Sequence, residues 1–397
     1  MAESIGLVLA GGGARGAYEI GALSVLLPWL EKQDQRADIV VGTSIGALNA
    51  AYLAAHAHED LECVLEKGRS KWLGVRYRDV LKPVWSLRGL AMIGRLGASA
   101  AFPGAVPLGF LDPAPLTRTV PDLTAVGNVH QNVLSAHVPL RACAVVATEA
   151  HGDRSVVFHD GGLSPGSDNR RAIDYAATEL SADHIRASAA IPVAFPGVEV
   201  LEPKDFRGWY FDGGTRLNAP IKPALQLGAD RVIVIGLNPI SRHRAPNGGV
   251  RPDLFDGAAQ IAQGLLADPL AQDLETLAKT NERILKSRPT HPDCDDRKVV
   301  SYIFVAPESP NRIGEIAREV FNRRYGRFRW VGRSLSLALI GRLLGASQTA
   351  TRGELLSYLF FDREFIRALI ELGRADAERW KQGGHDDGAW QQRPLPA

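Results

Sequence analysis

The chain has 397 residues, of which 45% are hydrophobic and 23% charged. That balance excludes a disordered chain, a collagen-like fibre and a disulfide-stapled miniprotein. The formal net charge of +2 excludes a bulk field for nucleic acid, and the scattered cysteines Cys63, Cys143 and Cys294 fit a reducing compartment.

Ile5 to Ala10 reads as a short buried strand, and Gly11-Gly12-Gly13-Ala14-Arg15-Gly16 as a turn. No basic run precedes these apolar residues, so a signal peptide is not expected. Ala17 to about Leu27 reads as a helix, which Pro28 should kink or end. Ile39-Val40-Val41 reads as a second buried strand, Gly42-Thr43-Ser44-Ile45-Gly46 as a turn, and Ala47 to Ala57 as a helix of small residues. Strand, turn and helix, twice over, argue for a mostly parallel α/β sheet. No Asp, Glu, Lys or Arg occurs from Ile39 to Ala57, nearly the length of a membrane-spanning helix. A span would leave Thr43, Ser44 and Asn49 in lipid without a role. As strand, elbow and packing helix, the same residues each have a place.

Residues 69–118 change character. They carry eight Arg and Lys against Asp79 and Asp112, interleaved with Trp72, Trp85, Leu87, Leu90, Met92, Ile93 and Phe102. This segment reads as a lid or active-site rim. Strands are expected at Arg141–Ala147, Ser155–Phe158, Trp209–Phe211, Arg231–Gly236 and Val299–Val305, with a polar loop from His159 to Arg171. Residues 238–257 read as a loop and 258–285 as helical. Beyond 305 the pattern is helical and rich in Arg.

Gly42-Thr43-Ser44-Ile45-Gly46 matches the G-x-S-x-G elbow, in which a serine at a sharp strand-to-helix turn presents its hydroxyl. Glycines two residues to either side let the chain fold tightly, and the helix beginning at the serine points free N–H groups at a developing oxyanion. Gly11, Gly13 and Gly16 also satisfy G-x-G-x-x-G, the dinucleotide fingerprint. That fingerprint expects an acid at the end of the second strand, where this chain has the elbow. Asp34 and Asp38 lie before the strand instead. The glycine loop therefore reads better as an oxyanion hole built from the Gly12 and Gly13 amides, with Arg15 adding charge or bracing the loop. A serine also needs a base. Two Asp-Gly-Gly triplets offer one, Asp160-Gly161-Gly162 and Asp212-Gly213-Gly214, and residue chemistry alone does not choose between them. Only His243, His291 and His385 follow Asp212, all in polar, loop-like segments, so a Ser–Asp dyad is favoured over a triad.

The ordered set GGGARGAYEIGAL, GTSIGALNA and DGG resembles the patatin-like phospholipases. Leu111-Asp112-Pro113-Ala114-Pro115-Leu116, Ala187-Ser188-Ala189-Ala190-Ile191-Pro192 with Phe195-Pro196, and Tyr210-Phe211-Asp212-Gly213-Gly214 with Asn218-Ala219-Pro220 extend the likeness over roughly 5–240. The resemblance implies a three-layer α/β/α sandwich with a mostly parallel sheet, cleavage of lipid acyl esters by a Ser–Asp dyad, and no metal or cofactor. It puts the nucleophile on Ser44 and the aspartate on Asp212, which follows the ASAAIP segment. It puts the oxyanion loop on Gly11, Gly12, Gly13 and Arg15, supported by Gly42, Gly46, Gly213 and Gly214. The expected division is a catalytic domain over 1–305 and a helical extension over 306–397.

The expected partners are a lipid ester and the surface of an anionic membrane, not nucleic acid. Residues 312–342 carry eight Arg against Glu315 and Glu319, with Phe321, Tyr325, Phe328 and Trp330. Such a mixture suits an anionic interface, or else a core with a solvated Arg face. The rival readings are an acyltransferase with the same dyad, a dinucleotide-binding protein and a silent lipid-binding protein.

Overall fold

The computed structural model describes residues 3–80, 114–192, 195–239, 270–286, 298–325, 350–383 and 389–393. The strands are β1 (Ile5–Leu9), β2 (Ile39–Thr43), β3 (Ala142–Glu149), β4 (Ser155–Gly161), β5 (Ile173–Ala177), β6 (Val198–Val200), β7 (Gly208–Asp212), β8 (Arg231–Ile235) and β9 (Ser301–Val305). The helices are α1 (Gly16–Glu31), α2 (Ile45–Ala55), α3 (Leu61–Gly74), α4 (Tyr77–Val80), α5 (Ala114–Thr124), α6 (Val129–Leu134), α7 (Ala182–Ser188), α8 (Ile221–Gln226), α9 (Leu270–Lys286), α10 (Arg312–Tyr325), α11 (Ala350–Leu359) and α12 (Arg363–Gln382).

All nine strands join one sheet, ordered β5-β4-β3-β2-β1-β8-β9, with β7 on β3 and β6 on β7. Pairing is parallel from β3 through β2, β1 and β8 to β9. These strands are near-continuous apolar runs, as strands covered on both faces must be. Their side chains alternate between two cores. Leu7, Leu9, Val40, Val145, Ile233 and Ile235 enter one. Val8, Val41, Ala144, Val146, Val232 and Val234 enter the other. Residues of α1, α2, α3 and α12 cover the first face, and residues of α8 and α9 cover the second. The architecture is the three-layer α/β/α sandwich that the sequence leads one to expect.

The described part of 306–397 is built into the first of these cores. Helix α12 lies directly on α1. At their crossing, a Cβ on Gly21 would come within 2.1 Å of the Ile370 carbonyl oxygen, and one on Gly373 within 2.1 Å of that of Tyr18. The Tyr18 hydroxyl then donates to Asp376 Oδ2 at 3.0 Å. In α10, Phe321 and Tyr325 are buried and stacked at 5.4 Å, edge-on to Phe360. Arg324 lies 3.3 Å from Asp362 and 3.2 Å from Glu364. These α10 aromatics are core, and Arg324 ties one helix to the next. Residues 326–342 lie outside the described residues, as do 81–113 of the expected lid or rim.

Several local expectations shift. Helix α1 continues three residues past Pro28, which sits in its last turn and forfeits one hydrogen bond there instead of ending the helix. Strand β4 runs on through His159 and Asp160 to Gly161, where a loop was expected, because their backbones pair with Ala144, Cys143 and Ala142. Strands β5 and β6 carry no strong apolar alternation and are not anticipated. Among the described residues no helix is long and apolar enough to cross a membrane, and Ile39–Ala57 forms β2 and α2.

Candidate active site

Strands β2 and β7 lie end to end along the same edge of β3. Strand β2 pairs in parallel up to Thr43 opposite Val146. Strand β7 runs the other way and ends with Asp212 opposite Ala147. The residue that follows β2 therefore meets the residue that closes β7, although 168 positions separate them in the chain. Ser44 Oγ donates to Asp212 Oδ2 at 2.6 Å.

Asp160 occupies a different place. It sits opposite Cys143 on the other edge of β3, four residues from Asp212's level, or about 13 Å along the strand. There it contacts Nδ1 of His130 at 2.9 Å, and the carboxylate holds the imidazole's pKa above its usual value. No histidine among the described residues is hydrogen-bonded to Ser44. His243, His291 and His385 lie outside them.

Ser44 holds a φ of +55°, in the left-handed region that non-glycine residues seldom occupy. Such strain costs about 1–3 kcal/mol and persists only where the surroundings enforce it. Close packing enforces it here. A Cβ on Gly46 would lie 2.4 Å from the Leu9 carbonyl oxygen, and one on Gly42 would meet the backbone of Gly46 at 2.2 Å. The Ser44 amide donates to Ser188 Oγ at 2.9 Å, which fastens the elbow to α7.

Asp212 is fully buried, and that burial pushes its pKa up to about 7 against the opposing pull of its bonds from Ser44 and the Gly214 amide. The Gly214 amide donates to Oδ1 at 2.7 Å, leaving Oδ2 for the serine. Gly213 lies so close to β3 that a Cβ would stand 2.3 Å from the Val146 carbonyl oxygen. A buried carboxyl with a pKa near neutrality is suited to take a proton from a hydroxyl that already points at it.

The glycine loop follows β1 and faces the elbow. A Cβ on Gly11 would come within 3.0 Å of Ser44 Cβ. The Gly11 amide is engaged, donating to Asn218 Oδ1 at 3.0 Å. The Gly12 and Gly13 amides have no acceptor among the described residues. Gly13 has φ +58°, and a Cβ there would collide with the Tyr358 carbonyl oxygen at 2.3 Å.

Arg15 turns away from the elbow. It is 1% exposed, donates to Ser357 Oγ at 2.6 Å and to the Glu354 carbonyl at 2.7 Å, and pairs with the Glu354 carboxylate at 2.5 Å. Its guanidinium stacks 3.9 Å above the Tyr358 ring. Of the two roles open to it, bracing is the one its contacts describe: it ties the glycine loop to α11. The sequence reading also missed Ser188 and Asn218. Both stood in segments of the resemblance, but no local pattern marks either as a neighbour of the elbow.

Ser44 and Gly13 open onto a cavity lined by Ile45, Leu48, Trp72, Val75, Ile191, Phe195, Leu359 and Phe361, among others. Lys71 is the one charged side chain among its described lining residues, and its amine is held by the Asp122 and Leu123 carbonyls. Lys71, Trp72, Val75, Val80 and Leu116 bring the described ends of 69–118 into this wall.

The family profile described as patatin-like phospholipase matches residues 7–225. Lysophospholipase nte1 of Aspergillus terreus (strain NIH 2624 / FGSC A1156) is 44% identical over 69 residues, 17% of this chain. The matched stretch spans only 4% of that much longer protein. VipD from Legionella pneumophila overlays distantly, with a TM-score of 0.32 and 15% identity over 77% of this chain and 61% of its own. The matched profile spans β1 to α8, including both the Ser44 elbow and the Asp212 strand, and the chain belongs to the patatin-like phospholipase family.

Proposed function

We propose that the protein is a serine acyl hydrolase that cleaves acyl esters of phospholipids or lysophospholipids. The observation that carries this reading is the 2.6 Å Ser44–Asp212 hydrogen bond at the mouth of an apolar cavity. Asp212 accepts the hydroxyl proton as Ser44 Oγ bonds to the ester carbonyl carbon. The Gly12 and Gly13 amides donate to the resulting oxyanion. The tetrahedral adduct collapses, the ester C–O bond breaks, and the leaving alcohol takes the proton from Asp212. Water then attacks the acyl-enzyme while Asp212 takes its proton. Collapse releases the fatty acid and returns the proton to Ser44. Gly11 and Arg15 stand outside this chemistry, since Asn218 and Glu354 already engage them, and act by shaping the loop.

Dinucleotide binding finds less support at the end of the second strand. Strand β2 ends at Thr43 with no carboxylate to hold a ribose, and Ser44 follows where that acid should stand. Acyl transfer to another alcohol would use the same first half-reaction. Incubation with phosphatidylcholine and lysophosphatidylcholine vesicles, with and without added glycerol, tests the reading. Free fatty acid is expected in both cases. Acyl-glycerol without fatty acid would make the protein a transferase, and no product from either lipid would refute the proposal.

A further inference from the structure

The cleft between α2 and α3 is not one space. At its elbow end, Leu48, Asn49 and Tyr52 of α2 face Gly68, Lys71 and Trp72 of α3 around the cavity that contains Ser44. Further along, Leu53 of α2 and His56 and Ala57 just past its end face Leu61 and Val64 of α3 around a second cavity, which reaches down to Leu30, Val40 and Leu140. Tyr52 stands between them. Its ring is buried and lies at 4.4 Å from the His56 ring on the far side. Its hydroxyl crosses the cleft to donate to the Val64 carbonyl at 2.7 Å. Gly68 makes room for that ring, because a Cβ there would come within 2.9 Å of Tyr52 Cε1. Asn49 fixes the neighbouring wall: its Oδ1 accepts from Trp72 Nε1 at 3.0 Å, and its Nδ2 donates to buried Glu19 at 2.6 Å.

We propose that Tyr52 is the floor of the acyl-chain site and sets the longest acyl group that the enzyme cleaves efficiently. The inference rests on the acyl hydrolase reading above. Tyr52 stands eight positions after Ser44, which is about 12 Å of helix. That is close to the extended length of a decanoyl chain. A chain bound at Ser44 along this apolar wall ends against the tyrosine ring. Removing the ring joins the two cavities and extends the site towards Leu30 and Leu140. A methyl group at Gly68 stands on the wall of the Ser44 cavity, within 2.9 Å of Tyr52 Cε1, and takes up space in front of the ring, which shortens the site. The two changes act in opposite directions on one property, which a merely structural role for Tyr52 would not produce.

The test is kcat/KM of the full chain on p-nitrophenyl butyrate, decanoate and palmitate. The wild-type protein is expected to favour decanoate. Tyr52→Ala is expected to raise the palmitate-to-decanoate ratio at least tenfold, and Tyr52→Phe, which keeps the ring, to leave it unchanged. Gly68→Ala, a substitution that favours helix and so should fold, is expected to lower the decanoate-to-butyrate ratio severalfold. Unchanged chain-length ratios in Tyr52→Ala, or in Gly68→Ala should the first variant not fold, overturn the proposal. A wild-type protein inert on all three esters refutes the hydrolase reading instead.

Discussion

The proposed chemistry turns on a single oxygen–oxygen contact, and the burial of one partner gives it an expected pH dependence. Asp212 must be ionised to accept the Ser44 proton, and burial has raised its pKa to about 7. kcat/KM is therefore expected to rise with pH, with unit slope below about 7, and then level off; a profile already flat from pH 5 would contradict this. The same shift acts on stability with a definite sign. The carboxyl's ordinary value is 3.8 and its folded value is about 7. Between these values the folded state binds more proton than the unfolded state, so stability falls as pH rises through this window. Asp212→Asn removes that loss, and its melting temperature should depend less on pH between 4 and 7 than that of the parent. Removing a general base costs on the order of 10²–10⁴-fold in rate, which is the loss expected for Asp212→Asn. The elbow that carries the candidate nucleophile was legible from sequence because its requirement is local: two glycines, a serine, a strand before and a helix after. The base was not legible on the same terms. Asp160 and Asp212 share the triplet Asp-Gly-Gly; the resemblance pointed to Asp212, and the register of β4 and β7 on β3 brings Asp212, not Asp160, to Ser44.

At the scale of elements, the glycine loop is held by a helix from the far end of the chain. Arg15 and Glu354 are 339 residues apart, and both are buried. Breaking such a pair from one side leaves an uncompensated buried charge and costs about 3–5 kcal/mol. Arg15→Met and Glu354→Met are each expected to lower unfolding free energy by that order in urea titrations. The double variant should recover part of the loss, because no charge is then stranded. Strictly additive losses would mean that the two side chains are not coupled. Gly46→Ala tests the elbow in the same assay. Its Cβ would lie 2.4 Å from the Leu9 carbonyl, and overpacking of this kind costs about 1–3 kcal/mol. The sequence offered Arg15 as a charge near the oxyanion or as a brace of the loop, and could not choose because its partner lay beyond any local pattern. Strand β4 was cut short for a related reason. His159, Asp160 and Gly161 have the composition of a turn, and only pairing with β3 keeps them extended.

Across the whole molecule, the matched family segment ends at residue 225, yet the structure built around it does not. Tyr358, Leu359 and Phe361 line the cavity at Ser44, and α12 covers α1 through the close crossing at Gly21 and Gly373. A chain cut after residue 305 would uncover Tyr18 and Ala22, which are fully buried in the full protein, and strip Trp380 from Trp29. It is expected to bind a hydrophobic dye such as ANS and to lose cooperative unfolding. A truncated chain with a sharp melting transition and full ester hydrolysis would show that the C-terminal helices are dispensable. The sheet could be read in outline from apolar runs separated by turns, and the covering of its two faces from the family resemblance. The docking of the C-terminal helices could not, since their small-residue contacts and buried ion pairs look, in sequence, like an Arg-rich solvated face. The most direct test of the central claim is labelling with a fluorophosphonate probe, alongside ester hydrolysis by Ser44→Ala, Asp212→Asn and Asp160→Asn. The account predicts an adduct on Ser44, hydrolysis lost in the first two variants and retained in the third. Full hydrolysis by Ser44→Ala, or loss confined to Asp160→Asn, would contradict it.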